Sequence, residues 1–97
     1  MEKELIHIIN DQIDTEFVEG ISMEELQQKL AVYINGLIQT DFQKLVAILY
    51  RVDVDENKLK NILKTEPGKD AADIIAGLII EREMQKIETR KRFSGKK

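Results

Sequence analysis

His7 is the only histidine in the 97 residues and there is no cysteine, so acid–base and nucleophilic chemistry start from a very short inventory. A histidine base needs a nucleophile beside it and a group to orient it. The helix that carries His7 offers Asp11 at i+4, with Lys3, Glu4 and Asp14 close by. One imidazole and one carboxylate fall short of the three protein ligands usual at a zinc site. His7 therefore reads as a solvated or interface side chain. Ser22 and Ser94 have no histidine within sequence reach. The missing cysteines exclude disulfides, thiolate metal sites and a thiol nucleophile.

Asp53-Val54-Asp55-Glu56-Asn57 opens like a calcium-binding loop. That loop needs glycine at its sixth position and a bidentate glutamate at its twelfth. Here those positions hold Lys58 and Lys64, and a lysine ammonium repels the ion. The segment reads instead as a helix cap, Asp53 with Glu56 three residues on. A helix-turn-helix through the same turn would place Lys58, Lys60, Asn61 and Lys64 on its second helix. A recognition helix presents its N-terminal turn to DNA, and this one opens with Asp53, Asp55 and Glu56, which phosphates repel. The turn also lacks the glycine often found there. The five glycines are isolated and form no phosphate-cradling loop. Neither catalytic residues nor a cofactor or metal site is predicted, and the chain reads as a non-enzyme.

Charge is the next functional signal. Net charge is −3, yet residues 1–25 carry one lysine against eight acids, and residues 86–97 carry six bases against Glu88. Such asymmetry suggests a charged partner, although the two ends could also pair with each other. Lys86, Arg90, Lys91, Arg92, Lys96 and Lys97, with Phe93 able to stack on a base, form a candidate nucleic-acid contact. Two plainer readings compete. Cations suit the C-terminus of a helix because of its dipole, and a lysine-ended tail keeps a protein soluble.

These residues must be positioned by helices, because periodicity of three and four dominates and no alternating run or hairpin dipeptide appears. A first helix is predicted from Glu2 to Glu19, with Leu5, Ile6, Ile9, Ile13 and Phe17 on its apolar stripe and Gly20 ending it. Ser22 and Glu25 make a capping box for a second helix that buries Met23, Leu26, Leu30, Tyr33, Ile34 and Leu37. Gly36 inside it marks either a close helix crossing or an early end. Thr40 or Asp41 caps a third helix, Phe42 to about Val52, whose segment Leu45–Tyr50 is apolar all round. Such a helix belongs in the centre of a bundle or against a second subunit. A short fourth helix follows through Leu59, Ile62 and Leu63, and Pro67-Gly68-Lys69 turns the chain. Asp70 caps the fifth and longest, whose Ala72, Ala76 and Gly77 let another backbone approach.

An all-α bundle of about five helices with a long C-terminal helix follows: one domain over residues 1–93 and a flexible basic tail at 94–97. Helices three and five are expected at its centre, with the fifth projecting beyond the body. At 42% hydrophobic residues the chain can build one core, but a domain this small gains from association. Ile75, Leu78, Ile79, Met84 and Ile87, with Arg82 and Arg90 at the rim, are the candidate interface of a protein–protein module or homodimer. An internal core explains the apolar five equally well, since core and interface share one stripe. The apolar run ending at Ile80 is far too short for a bilayer and no secretory signal is visible, so a cytoplasmic protein is expected.

Leu49-Tyr50-Arg51-Val52-Asp53-Val54, then Leu59 to Leu63, then Asp73 through Glu81-Arg82-Glu83 to Arg92-Phe93 resemble a family of small, uncharacterised bacterial proteins. The likeness spans roughly the second half of the chain and part of the second helix. It implies a small, helical, cytoplasmic bacterial protein and carries no function to transfer.

Overall fold

The computed structural model describes residues 2–13, 15–65 and 68–94, with side chains at 3–13, 15–65 and 71–92. Pro67, Lys96 and Lys97, the tail beyond Ser94, and the side chains of Asp70 and Phe93 lie outside the described residues. Five helices follow one another: α1 (Glu2–Ile13), α2 (Met23–Thr40), α3 (Phe42–Val52), α4 (Glu56–Thr65) and α5 (Gly68–Ser94). No strand occurs among the described residues. The backbone of α5 is already helical at Gly68, two residues ahead of the expected cap at Asp70.

The principal pairing is α2 on α5. Buried Leu26, Leu30 and Ile34 of α2 belong to one core with Ala72, Ile75, Ala76 and Ile79 of α5, where the two alanines bring the backbones close. Gly77 is not needed for that approach, since an added Cβ would meet Gln27 Nε2 at 3.5 Å, an ordinary contact. Leu5, Ile6, Ile9 and Ile13 of α1 complete the core. Each buried aliphatic side chain contributes about 1.5–3 kcal/mol relative to exposure. The expectation that α3 sits at the centre is corrected. Leu45, Ile48, Leu49 and Val52 face inward, while Ala47 and Tyr50 of the same helix are exposed.

The first helix stops at Ile13, six residues short of the expected Glu19. Asn10 is the cause. Its Oδ1 accepts from the Phe17 amide at 2.9 Å and from Thr15 Oγ1 at 2.8 Å, and its Nδ2 donates to the Phe17 carbonyl at 3.0 Å. A side-chain amide thus pairs with the backbone of residue 17, an alternative that asparagine offers against helix. The freed end is capped from other helices: Arg51 donates to the Gln12 carbonyl at 2.7 Å and the Tyr33 hydroxyl to that of Ile13 at 3.4 Å. Phe17 still packs on the core from its new backbone position. Gly20 takes φ +91° in the connecting turn rather than at a helix end.

Ser22 caps α2 as expected, accepting from Glu25 N at 3.1 Å, and of Thr40 and Asp41 it is Asp41 that caps α3, accepting from Lys44 N at 3.2 Å. Neither explanation for Gly36 holds: α2 runs past it to Thr40, and an added Cβ there would meet nothing within 4 Å. Capping of α4 falls to Asp55, whose Oδ1 accepts from Asn57 N at 3.0 Å. Asp53 instead ends α3 in the left-handed conformation, φ 73°, ψ 46°, which Asp tolerates better than most residues.

The fifth helix does not project freely. Its Ile87 is fully buried, and Lys91 Nζ reaches Glu4 Oε1 of α1 at 3.5 Å. Among the described residues, no helix is long and apolar enough to cross a membrane.

Candidate functional site: an apolar groove between α3 and α4

Because α3 turns only one side inward, Ala47 and Tyr50 on the opposite side stay exposed, with Val46 half-buried beside them. Val46, Ala47 and Tyr50 recur at helical spacing, and Val54 continues the line past the helix end. Tyr50 is 88% exposed. Buried Leu49 and Leu59 form the floor of a groove of about 340 Å³, with Val46, Tyr50 and Val54 on its sides and Asp53, Asp55 and Glu56 around it. Gln43 and Arg51 border the same strip on its other side.

The turn that shapes this groove is tightly held. Asp53 N donates to the Leu49 carbonyl at 2.9 Å, and Val54 N donates to the same carbonyl at 2.9 Å. From α5, Arg82 donates through Nη2 to Asp53 Oδ2 at 3.0 Å and through Nε to the Asp53 carbonyl at 3.4 Å. Arg82, expected at an interface rim, is thus an internal clamp on the α3–α4 corner.

The other candidate interface residues divide in two. Ile75, Ile79 and Ile87 are buried in the chain's own core and present no surface. Leu78 and Met84 are half-buried, and Arg90 is exposed. In the candidate nucleic-acid set, Lys86 Nζ lies 2.9 Å from Glu83 Oε1 and 3.3 Å from Gln12 Oε1. Lys91 is taken by Glu4, so two of its cations are paired within the fold. Arg90 and Arg92 are exposed.

His7 is exposed, and its Nε2 meets the Glu19 carboxylate, not Asp11. Lys3 Nζ lies 3.8 Å from the other oxygen of Glu19. No group of three or more metal-ligating side chains occurs among the described residues, and the acidic run at 53–56 serves a helix end and a cap.

Two features went unnamed in the sequence. The exposed strip on α3 was visible only as a helix apolar all round, which does not say which side is left bare. Glu83 is fully buried, and its oxygens accept no well-aligned hydrogen bond among the described residues. The signal that would have found it is spacing: it lies four residues after Ile79 and four before Ile87, on the core stripe of α5. Compared with family models, curated proteins and solved structures, the chain matches none.

Proposed function

We propose that this protein is a non-enzymatic protein–protein interaction module of the cytoplasm that docks its partner on the α3–α4 face. The observation that carries this is Tyr50, 88% exposed beside half-buried Val46 and Val54 and exposed Ala47. Tyrosine is favoured at recognition surfaces because it combines a large rigid apolar ring with a polar tip. Ile75, Ile79 and Ile87 of the α5 stripe are buried in the chain's own core, which favours the α3–α4 face over α5.

A displayed library of random short peptides, selected in parallel on the native chain and on Tyr50→Ser, tests the proposal. Binders that are retained by the native chain and lost on Tyr50→Ser are expected. Binders that ignore the substitution, or none at all, would refute this face. Because Tyr50 is so exposed, Tyr50→Ser should leave the melting temperature unchanged, which separates lost binding from lost folding.

A further inference from the structure

Resting on that docking face, we infer that its occupant is a short amphipathic helix whose apolar stripe is flanked by lysine or arginine. Size and charge both point there. The 11 residues of α3 span about 17 Å at about 1.5 Å per residue, the length of roughly three turns of a partner helix. A strip of that length and about 10 Å width is far smaller than the roughly 800 Å² that each subunit contributes to a stable dimer. A single helix laid in a groove through residues spaced i, i+3 and i+7 fits the dimensions better than a second copy of the chain.

Charge selects the kind of helix. The charged residues lining the groove between α3 and α4 are Asp53, Asp55 and Glu56, all acids, while Arg51 borders the strip on its far side, so the selecting edge is the one that faces α4. Arg82 already engages Asp53. Asp55 gives one oxygen to its cap and is exposed, and Glu56 is exposed in the first turn of α4. A cation flanking the occupant's stripe meets these two carboxylates, whereas an acidic flank is repelled. Exposed Tyr50 with half-buried Val46 and Val54 supplies the apolar contact, over a floor of core Leu49 and Leu59, and the acidic edge supplies selection.

Three helical peptides of about three turns, sharing one leucine stripe and flanked by lysine, glutamine or glutamate, provide the test. Each is titrated into the full isotope-labelled chain while its amide resonances are followed. The lysine-flanked peptide should shift Ala47, Tyr50, Val54 and Asp55, bind about three- to tenfold tighter than the glutamine one, and lose that margin as salt rises. The margin should also vanish in Asp55→Asn/Glu56→Gln, where asparagine still caps α4. Equal binding of all three peptides at these residues would overturn the inference while leaving the docking face standing. No shift at α3 or α4 with any peptide would overturn it too, and the displayed-library selection then decides the face separately. Concentration-dependent dimerisation that Tyr50→Ser abolishes would make a second copy the occupant and end the proposal.

Discussion

Replacing Lys86 with methionine removes the ammonium that balances a carboxylate inside the core. Glu83 is 0% exposed, and Lys86 Nζ stands 2.9 Å from its Oε1. Removing one partner of a buried pair costs about 3–5 kcal/mol, because the remaining charge has lost water and gained nothing in return. The Lys86 side chain is 22% exposed, so some water reaches the pair and the lower end, about 3 kcal/mol, is expected. A domain of this length has roughly 5–15 kcal/mol of total stability, and about 3 kcal/mol lowers its melting temperature by about 12–24 °C. Urea titration followed by far-ultraviolet circular dichroism reads the difference, provided the slope with denaturant is unchanged. The second half of the test is Glu83→Met/Lys86→Met, which replaces both charges by side chains of similar length. Reasoning from charge requires the double variant to recover most of the loss or exceed the native stability. If it is as unstable as Lys86→Met alone, packing and not an orphaned charge is responsible, and the argument fails. A single-variant cost below about 1 kcal/mol would refute it equally.

Two further outcomes follow from the geometry. Gly36→Ala should stabilise the chain by about 1 kcal/mol, since the position is helical, exposed and open to a Cβ; a raised urea midpoint checks it. Asn10→Ala removes the three hydrogen bonds that tie residues 15–17 to α1 and should cost about 1–3 kcal/mol. The Phe17 amide, which loses its acceptor, should then exchange with solvent faster than it does in the native chain.

Much of the helical frame was legible because the relevant forces are local. Ser22 and Asp41 announce their helices through side-chain oxygens that reach only three residues ahead; the structure places the Ser22 cap as read and decides for Asp41 over Thr40. The end of α1 was hidden because Phe17 keeps the helical spacing of the stripe while Asn10 pulls its backbone out of helix. Asp53 read as the cap of α4, and Asp55 takes that role instead. The choice between them rests on a left-handed corner fastened by Arg82, 29 residues away. That distance also bears on the turn's missing glycine, whose positive φ Asp53 supplies. As for the docking face, the surplus of apolar residues in α3 was visible. Which of them remain outside depends on how α2 and α5 pair, and no local pattern encodes that.

The ion pair from Lys91 to Glu4 and the hydrogen bond from Lys86 to Gln12 join the first helix to the last. The ribosome delivers α1 first among the five helices, yet its stripe of Leu5, Ile6, Ile9 and Ile13 finds much of its cover on α5, the last to emerge. At about 5–20 residues per second, synthesis separates α1 from the end of α5 by several seconds. Completion is therefore a closing step between distant parts of the chain, slower than helix formation itself. Trimming the basic end before Lys86 would remove the surface that α1 closes onto, along with buried Ile87.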